Sequence, residues 1–165
     1  MLNNQTSQKP DATIGVISDT HGLLRQDVFK AFEHVDSILH AGDIGSMEII
    51  DQLSTIAPVH AVRGNMDGNV WSQKFPVFDA IEIKNKFFYV LHDLYTLDLN
   101  PKAANFNAVI FGHTHIAEKY IQDNVLYLNP GSAGPIRNNR PPTVARIRVY
   151  PNSLRVDFRE LLSDN

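Results

Sequence analysis

Nine side chains that follow apolar runs in this sequence carry donor atoms for a divalent cation, and they recur at short spacings: Asp19 and His21, Asp43, Asn65 and Asp67, His92 and Asp93, then His113 and His115. Carboxylate, amide oxygen and imidazole suit borderline metals, and with no cysteine in the chain any metal must be held by oxygen and nitrogen. A lone D-x-H is a weak signal, and G-D after an apolar run is weaker, because aspartate is a common turn residue. G-H-T-H at Gly112 to His115 says more. Two imidazoles on a short loop repel if protonated and need partners if buried, which favours ligation. In an extended chain residues two apart point the same way, so Asp19 with His21, and His113 with His115, are expected to offer paired ligands to one cavity.

What must position these residues is a set of strands. Five apolar runs each stop at a potential ligand: Thr13 to Ser18, Ser37 to Ala41, Pro58 to Arg63, Lys86 to Leu91 and Asn107 to Phe111. As strands of one parallel-type sheet they would bring their carboxyl ends to a single edge, where open α/β sheets bind ligands. Glycine stands before Asp43, Asn65 and His113 and after His21, letting the backbone turn sharply or approach closely. Helical spacing over Leu24, Val28, Phe29 and Phe32, and again over Met47, Ile50, Leu53 and Ile56 with Ser46 as N-cap, gives a βαβαβ opening. Beyond Gly68 the runs Val77 to Ile83, Lys86 to Leu91, Asn107 to Phe111, Ala117 to Gln122, Val125 to Leu128, Thr143 to Tyr150 and Ser153 to Arg159 crowd together, with Asn85, Asp123 and Asn124 as turn residues. Such close runs are expected to pair antiparallel, with Pro101 to Phe106 as the one short helix. Residues 1–11 read as a loose tail and 12–165 as a single layered α/β domain, parallel in its first half and mixed in its second.

Composition narrows the function. The 165 residues carry a net charge of −3 with 20% charged and 43% hydrophobic residues, so neither long nucleic acid nor an anionic membrane is the expected partner. No stretch approaches the roughly 20 apolar residues of a membrane span, and the polar start lacks the apolar segment of a signal peptide. A cytoplasmic location is therefore expected.

Taken together, D-T-H-G at Asp19 to Gly22, G-D at Gly42 and Asp43, G-N-x-D at Gly64 to Asp67, His92 at a strand end, G-H-T-H and N-P-G-S at Asn129 to Ser132 resemble the calcineurin-like metallophosphoesterases. The match is to their small single-domain phosphodiesterase branch, which also includes the retromer subunit Vps29. The resemblance implies a four-layer α/β/β/α sandwich of mixed sheets with two divalent ions at the strand ends, manganese foremost, with iron, zinc, nickel or cobalt as alternatives. It assigns Asp19, His21 and His115 to one metal, Asn65, His92 and His113 to the other, and Asp43 to both. It implies hydrolysis of a small phosphoester, a diester first, by a hydroxide bridging the two ions. Asp43, Asn65, Asp67 and His92 are then the catalytic set, and Asn65, Asn129 and Arg137 the substrate contacts. A weakly catalytic or non-catalytic interaction scaffold of the Vps29 kind is the competing implication, and a homo-oligomer is compatible with either.

The chain departs from the pattern twice. Where many relatives place a histidine near the leaving group it has Met66, whose thioether donates no proton, so leaving groups that depart unprotonated are expected. Where relatives read H-G-H it has His92-Asp93-Leu94, keeping the ligand and losing the second histidine. Asp67 orients a ligand, carries a proton or merely turns the chain beside Gly68. Arg137 and Arg140 meet a phosphate or stay solvated. The apolar group Val70, Trp71, Phe75 and Phe78 is core, pocket wall or oligomer contact.

Overall fold

The computed structural model describes residues 8–162. The first seven residues of the expected tail thus lie outside the described residues, and at its far end Asp11 already donates its N–H to Val149, 2.8 Å away. Among the described residues the order is β1 (Ala12–Ile17), α1 (Asp27–Ala31), β2 (Ser37–His40), α2 (Met47–Ser54), β3 (Val59–Ala61), β4 (Phe78–Ile83), β5 (Lys86–Leu91), β6 (Ala108–Ile110), β7 (Ala117–Gln122), β8 (Val125–Pro130), β9 (Thr143–Tyr150) and β10 (Ser153–Glu160). None of the described helices is long and apolar enough to cross a membrane.

The strands form two five-stranded sheets, in the orders β10-β9-β1-β2-β3 and β4-β5-β6-β8-β7. The five ligand-bearing runs are therefore not one sheet. β1, β2 and β3 run parallel in the first, and β5 and β6 run parallel in the second. The expectation of antiparallel pairing beyond Gly68 fails for β5 with β6 and for β6 with β8, both parallel. The connections that permit this are the turn-rich segment from His92 to Asn107 and the hairpin strand β7, each long enough to carry the chain back. Antiparallel pairing does hold for β4 with β5 and for β7 with β8. Lys84 and Asn85, and Asp123 and Asn124, all have positive φ, the signature of two-residue type I′ hairpin turns.

The sheets pack face to face through Ile14, Val16, Leu39 and Ala41 on one side and Phe88, Val90, Ile110 and Leu128 on the other. Each large apolar side chain so buried contributes roughly 1.5–3 kcal/mol. On the outer face of the first sheet, Val28 and Phe32 of the α1 region and Ile49, Ile50 and Leu53 of α2 cover Ile17 and Ile38. A helix as short as α1 is not stable alone, so it is this burial that holds it. Ser46 occupies the N-cap position of α2 in extended backbone, though its hydroxyl makes no capping bond. On the outer face of the second sheet Leu94, Leu97, Leu99 and Phe106 cover Leu91, Val109 and Tyr127.

That fourth layer is made of turns. The expected helix over Pro101 to Phe106 is reduced to one turn, in which Ala104 N–H bonds Asn100 O at 3.0 Å and Phe106 N–H bonds Pro101 O at 2.9 Å. Asn105, with φ of 61°, reverses the chain as a left-handed cap before a helix can propagate. The apolar group past Asn65 splits as well. Trp71 and Phe75 meet edge to face and pack against the helix layer, Val70 is exposed, and Phe78 stacks on Tyr89.

Candidate metal centre

The carboxyl ends of β1, β2 and β3 and those of β5 and β6 meet at one rim, stitched by backbone bonds. Asp19 N–H donates to Gly42 O at 3.0 Å, His21 N–H to Asp43 O at 2.9 Å, and Gly112 N–H to His92 O at 3.0 Å. Loops approach this closely because glycines line the seam. A Cβ on Gly64 would lie 2.1 Å from Asp43 Oδ1, and one on Gly112 would lie 2.0 Å from Ser18 Oγ and 2.7 Å from Asp19 Oδ2.

Strand alternation is not what makes the paired ligands converge. Asp19, His21, Asp43, His113 and His115 all have positive φ, between 46° and 70°. The expectation of extended i, i+2 pairs is corrected accordingly: each pair converges because both members sit in the left-handed region. For a residue with a Cβ that region costs roughly 1–2 kcal/mol, and such strain concentrates at functional sites.

Each buried carboxylate is divided in its duties. Asp19 Oδ2 accepts from the Ser18 hydroxyl at 2.7 Å and from His113 N–H at 3.2 Å, while Oδ1 has no hydrogen-bond partner among the described residues. Asp19 Oδ1 instead faces His115 Nε2 at 3.1 Å, His21 Nε2 at 3.7 Å and His92 Nε2 at 4.0 Å. Asp43 Oδ1 accepts from Met66 N–H at 2.8 Å, leaving Oδ2 at 3.3 Å from His92 Nε2 and 3.8 Å from His21 Nε2. One oxygen of each group is fixed to the scaffold and the other is aimed into the centre.

The imidazoles are prepared in the same way. His92 Nδ1 donates to Ala41 O at 2.7 Å, which leaves Nε2, buried and without a hydrogen-bond partner, to face inward. His113 meets Asn65 at 3.1 Å, Nδ1 to Oδ1, and its ring stands across that of His92 at 5.3 Å. His21 and His115 oppose their Nε2 atoms at 3.5 Å. Two three-ligand clusters emerge, Asp19 with His21 and His115, and Asp19 with Asp43 and His92. Asn65 and His113 adjoin the second.

Electrostatics follow from this packing. Burial alone would lift the Asp19 and Asp43 carboxyls, yet both stay below their ordinary values. Asp19 is held down by His21, Ser18, His92 and His115, and Asp43 by His92, the Met66 amide and His21. Burial would lower His92, but Asp43, Asp19 and the Ala41 carbonyl together raise it. His115 is lowered, by burial first and then by His21 and Arg137. Two ionised carboxylates among inward-facing ring nitrogens, with an orphaned Asp19 Oδ1 and an orphaned His92 Nε2, are a donor set that fits divalent cations.

Two of the expected catalytic and substrate residues do other work. Asp67 is buried, and its carboxylate is used up by the backbone N–H groups of Ile44, Gly45 and Gly64 at 3.0, 3.0 and 2.8 Å. It clamps the Asp43 loop to the Asn65 loop, which agrees with the orienting role among the alternatives expected for it. Asn129 is likewise internal, donating to Gly112 O at 2.9 Å and Thr114 Oγ1 at 3.0 Å and accepting from Gly131 N–H at 2.9 Å. It holds the His113 loop, so its expected substrate contact is corrected. Arg137 is exposed, and its charge is felt at His115. Met66 is exposed beside Asn65, while Leu94 starts a 3₁₀ turn and packs outward, away from the centre. Sequence reasoning missed Ser18 as a partner of Asp19, since nothing distinguishes it from any serine ending a strand.

Comparison with known proteins gives the family and the fold. Residues 13–151 match the calcineurin-like phosphoesterase superfamily domain. The chain belongs to that superfamily. It is similar to a probable metallophosphoesterase of Methanocaldococcus jannaschii, 39% identical over 134 residues that cover 72% of this chain and 67% of the relative. It is also similar to a phosphodiesterase of the same organism, 31% identical over 137 residues covering 72% of this chain and 82% of that one. In fold it superposes on Vps29 of Chaetomium thermophilum with a TM-score of 0.72 at 17% identity, covering 92% of this chain and 96% of that one.

Proposed function

We propose that this protein hydrolyses small phosphoesters, diesters first, using two divalent cations, manganese foremost, held at the rim where the two sheets meet. Asp19, His21 and His115 would hold one, Asn65, His92 and His113 the other, and Asp43 would serve both. When bound, the ions supply positive charge to the phosphoryl oxygens and bring the pKa of water at the centre toward about 7. The observation that carries this reading is the divided carboxylate: Asp19 Oδ1 and Asp43 Oδ2 are directed inward while their partner oxygens are fixed by Ser18, His113 and Met66. A scaffold that only bound partners would have no use for buried, inward-facing donors lacking hydrogen bonds.

The chain's own residues supply the rest. Left-handed backbone at Asp19, His21, Asp43, His113 and His115 fixes the donors before any ligand arrives, so little reorganisation remains for the reaction. Arg137, close enough to influence His115, meets the phosphoryl oxygens as a fork of N–H donors. Met66 stands at the leaving-group side and protonates nothing, which selects aryl and other acidic alcohols.

The test is hydrolysis of aryl phosphodiesters and monoesters by chelator-treated protein with manganese, zinc, nickel or cobalt added back singly. Activity should return with metal, and Asp43→Asn should remove it. Turnover that persists through both chelation and Asp43→Asn refutes the proposal.

A further inference from the structure

We propose that the outer side of β9 and β10 carries a second site, separate from the metal centre, for a small polyphosphate anion. In these strands Ala145, Ile147 and Val149 with Leu154, Val156 and Phe158 face the core between the sheets. Alternation then puts Arg146, Arg148 and Arg159 on the opposite face. There α1 ends against Arg146, whose Nη1 donates to Ala31 O at 3.0 Å and Glu33 O at 3.2 Å, and the surface beyond opens into a depression of about 620 Å³. That volume lies in the range of small-ligand sites. Among the described residues its lining holds four cations, Lys119, Arg146, Arg148 and Arg159, against one carboxylate, Asp157.

The imbalance is local, since the whole chain carries a net charge of −3. Asp157 is already engaged with Arg148 at 2.6 Å. Lys119 reaches the depression around the edge strand β10, from the side that Phe158 faces, by its bond to Val156 O at 3.0 Å and its place over the Phe158 ring. The register sets Arg148 directly opposite Arg155, a like-charge pairing that disfavours the sheet, and Arg148 Nε is buried without a hydrogen-bond partner among the described residues. Arg146 is held below its ordinary pKa, by burial first and then by Arg159 and Arg148. An anion would relieve this crowding.

Its size follows from strand geometry. Residues two apart lie about 7 Å from each other along a strand and neighbouring strands lie about 5 Å apart, so the cluster matches two or three linked phosphates better than an extended acidic peptide. Guanidinium forks also match phosphoryl oxygens geometrically.

The experiment titrates inorganic tripolyphosphate into the full chain, freed of metal so that the candidate centre does not compete, by calorimetry and by amide chemical shifts. Binding at one equivalent, with shifts along residues 144–159 and at Lys119 and with affinity falling as salt rises, is expected. Arg148→Gln with Arg159→Gln should weaken it at least about tenfold, and Asp157→Asn should tighten it a few-fold. Absence of binding, shifts confined to the loops at residues 19–22 and 112–115, or tighter binding of hexaglutamate each overturn the proposal. Should the double variant fail to fold, Asp157→Asn decides: tightening supports the site and an unchanged affinity overturns it.

Discussion

A single tautomer of His40 explains why one histidine in this chain stays neutral. Thr20 Oγ1 gives its proton to Ile44 O at 2.8 Å, so at 3.0 Å His40 Nε2 must be the donor to it. Gly42 N–H in turn donates to Nδ1 at 3.2 Å. A second proton on the ring would face that amide, and complete burial pushes the pKa down from 6.5 to about 4. Because the folded pKa is depressed, the folded chain excludes a proton that the unfolded chain binds. Stability from this residue is therefore complete above pH 6.5 and is lost as pH falls toward 4, to the extent of roughly 3 kcal/mol. His40→Gln should flatten that part of the pH dependence of the urea midpoint, and superimposable curves for the two proteins would refute the assignment. At Met66 the expectation concerns rate. With no donor at that position, diester hydrolysis should fall steeply as the leaving-group pKa rises, and Met66→His should recover roughly ten- to a hundredfold for alkyl esters while changing aryl esters little. A rate in the parent protein that ignores leaving-group pKa would remove the reasoning.

The loops, more than the strands, decide where the ligands stand. Three backbone amides on the Asp67 carboxylate join the loop after β2 to the loop after β3. Asp67→Asn replaces one acceptor oxygen by an amine that faces N–H donors, which should cost about 2–4 kcal/mol of stability. Misplacing Asp43 and Asn65 together should also weaken metal affinity roughly ten- to a hundredfold, as calorimetry would measure. An unchanged affinity would mean the loops hold their positions without the clamp. Gly112 is the corresponding close approach across the sheets. Gly112→Ala forces a methyl group into Ser18 and Asp19, so zinc or manganese binding should be lost even where the far-ultraviolet spectrum is preserved. These roles were not legible in the residue types. D, N and G near a strand end read equally well as turn formers or ligands, and only the direction of a carboxylate distinguishes Asp19, with an oxygen left over, from Asp67, with none.

At the scale of the whole molecule, what the sequence made readable was local order: the βαβαβ start, the hairpin turns at Asn85 and Asp123, and the strand ends that carry the candidate residues. What it hid was non-local pairing. Thr13 to Ser18 and Asn107 to Phe111 are alike as apolar runs, and nothing in either says that one joins β9 and the other β8. The division into two sheets has a consequence for stability, because the centre draws ligands from both. Asp19, His21, Asp43 and Asn65 come from the first sheet's loops and His92, His113 and His115 from the second's. A cation held as proposed would crosslink the sandwich at its rim and offset the left-handed strain collected there. At a hundredfold excess over its dissociation constant a ligand stabilises the native state by about 2.7 kcal/mol. For a chain of this length that corresponds to a rise of roughly 5–10 °C in melting temperature. Zinc or manganese should raise the midpoint by that amount, a chelator should reverse it, and Asp43→Asn should abolish most of the increment while leaving the metal-free midpoint nearly unchanged. Asparagine at that position keeps an oxygen to accept from Met66 N–H, so loss of the increment would report the inward-facing oxygen rather than a damaged fold. A melting temperature indifferent to metal in the parent chain would mean that the two sheets bring donors together without binding an ion.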